Sequence, residues 1–176
     1  MSDLAGAADE AADRAAIHRL VLEYCRAVDR GDTAGIRAVY SRDGVDHHTG
    51  FSGPADEYAA WVRERTAVFD GTMHLVGNHL VELYGDHALA ETYGTAVHWG
   101  TPQDDPALNF TSGFRYIDHV RRDPEGWRIV ERLAVREWTR VDAGRLVAPE
   151  GFGPRGSRDA DDPLHVVRER VVRAIG

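Results

Sequence analysis

Asp29 and His74 are polar residues standing where apolar ones would be easier to explain. Asp29 closes a helical stretch whose apolar members are Ile17, Leu20, Val21, Tyr24 and Val28. His74 opens a strand-like run from Met73 to Leu83. A carboxylate that meets an imidazole inside a pocket orients the ring and raises its basicity, which makes a general base. Tyr24 precedes Asp29 by five residues, about 140° around a helix axis, so the two would flank a ligand without touching each other. His98 lies on the following strand-like run, where a hairpin turning near residues 85–87 would bring it close to His74. Arg132, in the segment WRIVER, could stabilise an anionic leaving group or an enolate oxygen.

Each of these residues also has a plain structural reading. A lone histidine at a strand start is usually a partly buried structural residue. A carboxylate at a helix C-terminus opposes the macrodipole and is tolerated when solvent-exposed or paired, here with Arg26 or Arg30. Tyr24 could be core with a satisfied hydroxyl. From the residues alone, Arg132 reads as a surface cation among Arg128, Glu131, Arg136 and Glu137. His47 and His48 follow Asp46, but adjacent strand residues point to opposite faces, so no metal is assigned to them. Cys25, on a helix flank, reads as packing. The sequence contains no glycine-rich phosphate loop, no nucleophile elbow and no Cys/His cluster with metal-ligand spacing.

The elements that must position these groups follow from periodicity and turn chemistry. Residues 1–8 are expected to fray, and a helix runs from Asp9 to the C-cap Gly31. Asp32 or Thr33 caps a short second helix through Tyr40. A turn-rich stretch follows, with a short strand around Val45 to His48. Gly53-Pro54 starts a third helix with Tyr58, Trp61, Val62, Arg65 and Phe69 on one face. Residues 72–84 and 88–100 form two strands about Gly85-Asp86-His87, and residues 109–121 and 127–140 form a second pair. On residues 88–98 one face carries Ala88, Ala90, Thr92, Gly94, Ala96 and His98. That row of small side chains leaves room for a ligand or receives a bulky neighbour, and the pattern does not choose. The result is an α+β fold, a curved antiparallel sheet with three N-terminal helices on its concave face. Residues 9–147 form this domain, and residues 148–176 form a tail with a short helix from Leu164 to Ile175.

Composition sets the outer limits. The chain has 176 residues, 43% hydrophobic and 28% charged, which fits one soluble domain. A net charge of −8 without a basic patch argues against nucleic acid and anionic membrane as partners. The acidic, Ala-rich N-terminus lacks the apolar run of a signal peptide, and no segment approaches a membrane span. One cysteine leaves no internal disulfide framework. A cytoplasmic location is expected. Tyr93, Val97, Trp99 and Trp138 alternate on the outer sheet face, so self-association is expected too.

In order, the segments RAAIHRLVLEYCRAVDRGD, YSRDGVDHHTGFSGP, MHLVGNHLVEL and GWRIVER resemble the SnoaL-like branch of the nuclear transport factor 2-like superfamily. The resemblance spans roughly residues 10–140. Its nearest group holds scytalone dehydratase, hexachlorocyclohexane dehydrochlorinase and bile-acid dehydratase. It implies a cone-shaped domain with a deep pocket, homodimeric or homotrimeric, in which an Asp–His dyad acts as base with neither metal nor organic cofactor. The family's helix-end aspartate falls on Asp29 and its proton-abstracting histidine on His74. The dehydratases' helix tyrosine matches Tyr24, the second pocket histidine falls near His98, and the dehydrochlorinase arginine matches Arg132.

The expectation is therefore a dehydratase-type lyase without a cofactor, acting on an apolar cyclic small molecule such as a steroid or polyketide. Trp61, Phe69, Val76, Phe114 and Tyr116 are expected to line its pocket. An isomerase or polyketide cyclase using the same base is the alternative within enzymes. A non-catalytic ligand-binding or dimerisation module is the alternative outside them.

Overall fold

The computed structural model describes residues 2–142 and 156–175. Helix α1 (Ser2–Arg30) precedes α2 (Thr33–Ala38), β1 (Tyr40–His48), β2 (Phe51–Pro54) and α3 (Ala55–Thr66). Four long strands follow: β3 (Gly71–Tyr84), β4 (His87–Trp99), β5 (Phe110–Asp123) and β6 (Gly126–Val141). Helix α4 (Pro163–Ile175) comes last. The six strands form one curved sheet in the order β2-β1-β6-β5-β4-β3. Its long hairpins are antiparallel, but β1 runs parallel to β6, so the sheet is mixed and not wholly antiparallel as expected.

Three local departures from the sequence reading have physical causes. Helix α1 already begins at Ser2, because the Ala-rich stretch has high helix propensity and its early acids suit the positive end of the macrodipole. Strand β1 reaches back to Tyr40 despite the turn-like Ser41–Gly44. The register against β6 shifts between Tyr40 and Val45, so these residues are absorbed as an irregularity that leaves the strand unbroken. Short edge strand β2 ends at Pro54, a residue that an edge tolerates. Phe69 lies beyond the end of α3. The proposed boundary at residues 147/148 lies outside the described residues.

Helix α1 terminates where Gly31 adopts φ 64°, with Asp32 N–H bonded to the Ala27 carbonyl at 2.8 Å. The helix packs on β3, α2 and β6, burying Ile17, Leu20, Val21, Tyr24 and Val28. Its other end is tied down at Asp13, which accepts from Trp127 Nε1 at 3.0 Å and pairs with Arg122. On the opposite face of the sheet, Met73, Leu75, Tyr93 and Trp138 are exposed.

The row of small residues on β4 does point inward, with Ala88, Ala90, Thr92 and Ala96 buried. Phe114 fills part of the space they leave. A Cβ at Gly94 would lie 2.5 Å from Phe114 Cζ and 2.8 Å from the Leu75 carbonyl oxygen. A Gly94→Ala substitution is therefore expected to cost about 1–3 kcal/mol through overpacking. Urea denaturation checks it: an unchanged midpoint would show that strand and ring yield freely.

Candidate functional site

A cavity of about 140 Å³ opens between α1, α3 and the inner sheet face. His74 lines it from β3, Ala96 and His98 from β4, and Phe114 and Tyr116 from β5. Tyr24 on α1, Tyr58 and Trp61 on α3, and His48 at the end of β1 close the other side. Of the aromatic and apolar lining expected from sequence, Trp61, Phe114 and Tyr116 are on the wall. Phe69 stands behind it, 4.9 Å from the His98 ring and 5.8 Å from the Phe110 ring between centroids. Val76 faces a separate cleft between α1 and β3.

Asp29 and His74 meet. Nδ1–H of His74 donates to Asp29 Oδ1 at 2.6 Å, since a carboxylate can only accept. The His74 backbone N–H donates to Oδ2 at 3.0 Å and the Thr72 hydroxyl to Oδ1 at 3.2 Å. Three donors from the start of β3 thus hold a carboxylate at the end of α1, the position where the macrodipole alone would disfavour it. With Nδ1 engaged, Nε2 is the ring nitrogen left free to take a proton.

His98 shares the inner face. His74 pairs with Ala96 and Thr72 with His98 across the hairpin, so the two imidazoles are diagonal neighbours. The His98 ring stacks on Phe110 at 4.4 Å, and its Nδ1 is buried without a partner. Burial, then the adjacent His74, push its pKa down to about 4. His98 is therefore a neutral hydrogen-bonding group at neutral pH.

Arg132 is neither at the surface nor on the cavity wall. Fully buried, it makes a two-pronged pair with buried Asp118, Nε to Oδ1 and Nη2 to Oδ2, both at 2.7 Å. Its guanidinium carbon lies 4.1 Å from the centroids of both Tyr24 and Tyr116. Burial opposes its charge, but the Asp118 carboxylate more than compensates, and its pKa stands well above the ordinary value. Arg132 supports two wall residues from behind. Its inward position, against the surface reading, follows from a shift in the register of β6 near residues 129–131, which turns Arg132 to the face shared by Trp127 and Ile129.

Sequence reasoning missed Asp46, His48 and Tyr58. Asp46 is completely buried and accepts the Tyr40 hydroxyl at 2.5 Å and Nδ1–H of His48. The hydroxyls of Tyr24 and Tyr58 bond to each other, with His48 Nε2 3.4 Å from the first and 3.3 Å from the second. The available signal was the i, i+2 spacing of Asp46 and His48, which puts both on one face of a strand. His47 points the other way, to Ser52 and Glu131. Cys25 is buried, and that burial pushes its thiol up to about 12, so it is not poised as a nucleophile. Among the described residues no group of three or more His, Cys, Asp or Glu is arranged to hold a metal ion.

The chain belongs to the SnoaL-like domain family, whose sequence profile matches residues 9–133. An uncharacterised protein of Mycobacterium tuberculosis is 26% identical over 132 residues, covering 72% of this chain and 87% of that protein. The structure of a type 2 hexachlorocyclohexane dehydrochlorinase, LinA, superposes with a TM-score of 0.70 at 18% identity, covering 82% of this chain and 98% of that one. A Novosphingobium aromaticivorans protein, provisionally named a scytalone dehydratase, gives 0.66 at 20% identity, with 88% and 100% covered. These likenesses establish the nuclear transport factor 2-like fold. No helix among the described residues is long and apolar enough to cross a membrane.

Two expectations follow from the site's electrostatics. Asp118→Asn leaves the Arg132 charge buried without its partner, which costs about 3–5 kcal/mol. Replacing both residues by apolar ones of similar volume should recover most of that loss in a denaturant series. His98 supplies a pH dependence. Its folded pKa lies below the unfolded value of about 6.5, so the unfolded chain binds the proton first as pH falls. Its contribution is complete above pH 6.5 and is lost progressively as pH drops toward 4. His98→Phe should flatten the decline in melting temperature across that window, and an unaltered decline would contradict it.

Proposed function

We propose that this protein is a lyase that removes a proton next to a carbonyl and expels a β-leaving group, with His74 as base. The observation that carries this reading is the Asp29–His74 pair, held by three hydrogen bonds at the edge of an apolar cavity. Family membership and the dehydratase and dehydrochlorinase names of two structural neighbours favour the same class.

The geometry suits the chemistry. Asp29 fixes the His74 tautomer that leaves Nε2 as acceptor and stabilises the imidazolium that forms. Neutral His98, diagonal to it, can donate to the oxygen of the developing enolate, a task for which an uncharged imidazole serves well. The aromatic wall excludes water from the reacting centre. A cavity near 140 Å³ is comparable to an engineered one of about 150 Å³ that binds benzene, so it takes one ring of a substrate. The substrate class is thus a cyclic β-substituted ketone or a larger molecule presenting one such ring. Pairing of two copies through the exposed outer sheet face, with Met73, Leu75, Tyr93 and Trp138, completes the proposal.

Proton abstraction can be read without knowing the natural substrate. Wild-type protein in D₂O is expected to accelerate exchange of the protons beside the carbonyl of 3-hydroxycyclohexanone, followed by NMR. His74→Gln should lose about 10²–10⁴-fold of that acceleration, and Asp29→Asn should lose rate while the melting temperature changes little. Exchange with no elimination from any β-substituted ketone would move the reading to an isomerase or cyclase. No exchange, with both variants markedly less stable, would make the pair structural and the protein a binding module.

A further inference from the structure

The elimination proposed above needs a second proton carrier where the leaving group departs, and the structure holds one that the first pair does not use. Asp46 and His48 repeat the arrangement of Asp29 and His74 on a different element. Both project to the inner face of β1. The Asp46 carboxylate fixes Nδ1–H of His48, which turns Nε2 toward the hydroxyls of Tyr24 and Tyr58. Three polar atoms thereby converge on one patch of the wall.

The two imidazoles stand at opposite ends of an aromatic floor. Phe114 lies 5.8 Å from the His74 ring and 4.4 Å from Tyr116, and Tyr116 lies 6.0 Å from the His48 ring, all between centroids. His48 also stacks on Tyr58 at 4.8 Å. A ring lying over Phe114 and Tyr116 would thus present one edge to each histidine.

We propose that His48, positioned by Asp46, is the general acid of the site, and that the Tyr24 and Tyr58 hydroxyls hold the departing oxygen beside it. The proposal rests on the elimination reading. In the step, His74 Nε2 takes the proton from the carbon beside the carbonyl. The C–H electron pair becomes the new double bond, and the C–O bond to the leaving group breaks. The departing oxygen keeps that bonding pair and takes the proton from His48 Nε2, leaving as water. His74 then returns its proton to solvent and His48 regains one, so substrate yields alkene and water with no co-reactant.

The surroundings fit an imidazole as donor. Burial, above all, pushes the pKa of Tyr24 and Tyr58 up, so these hydroxyls donate hydrogen bonds and do not give up their protons. Imidazole is the side chain that exchanges protons near neutral pH. The charges nearest His48 are Asp46 itself and Arg132, which sits behind Tyr24 and is paired with Asp118, and Arg136 also lines the cavity from β6. A fully buried carboxylate is expensive to keep unless a cation shares its site for part of the cycle.

The test compares two leaving groups on one ring. 3-Hydroxycyclohexanone and 3-acetoxycyclohexanone both yield cyclohex-2-enone, read by its ultraviolet absorbance, but acetate departs without being protonated. His48→Gln is expected to slow loss of water by 100-fold or more while slowing loss of acetate by threefold or less. His74→Gln should slow both. Asp46→Asn should act in the direction of His48→Gln, and melting curves establish that each variant is folded. Should the His48 variants not fold, wild-type pH profiles decide. Loss of water should fall off on the alkaline side along a limb that loss of acetate lacks. Equal slowing of both reactions by His48→Gln, no slowing of either, or identical pH profiles would overturn the acid role and leave the base reading intact. A wild-type protein that eliminates neither group overturns the elimination reading and this proposal with it.

Discussion

The Arg132–Asp118 pair is the constraint on which the rest of the site depends. Placing two charges out of water costs several kcal/mol per ion, a cost that only close, multiply bonded partners offset. Here the partners are neighbours across β5 and β6, joined by two hydrogen bonds, and the flat guanidinium lies against both the Tyr24 and Tyr116 rings. One ring belongs to helix α1 and the other to the sheet floor. The ion pair therefore sets how α1 crosses the sheet, and with it where Asp29 and the Tyr24 hydroxyl come to rest.

Around that anchor, two further carboxylates are held by neighbouring histidines and hydroxyls. Asp29 is met by Thr72 and two donors from His74; Asp46 is met by Tyr40 and His48. Each carboxylate fixes one ring nitrogen and leaves the other facing the cavity. The pairs ride on different elements, the α1–β3 contact and strand β1, so the spacing between them is a property of the sheet. It does not depend on a loop. Groups so held are already oriented before a ligand arrives, which is where positioned acids and bases gain their advantage.

Much of this was legible in the chain. The four long strands emerged from alternation and turn chemistry within a residue or two, and the Asp29–His74 meeting was expected from two misplaced polar residues and from the family resemblance. Arg132 was misread because one register irregularity inverts which side of a strand faces inward, and a sequence does not announce such shifts. His48 was read only as a metal ligand paired with His47, and rejected. Alternation correctly separated those two, but the same argument joins His48 to Asp46. The Tyr24–Tyr58–His48 contact unites three segments far apart in the chain, and nothing local in any of them encodes it.

The small residues of β4 show how the fold trades packing against space. Gly94 gives its room to Phe114, whose ring becomes floor, whereas Ala96 and His98 leave theirs open to the cavity. A side chain larger than alanine at position 96, directly across from His74, would narrow the cavity beside that ring. The bounds of the cavity and the two carboxylate–imidazole pairs thus rest largely on different residues: β4 and the β5 aromatics limit the space, and the pairs stand at its two ends. A division of that kind lets one scaffold carry different sites while the ion pair beneath them stays fixed.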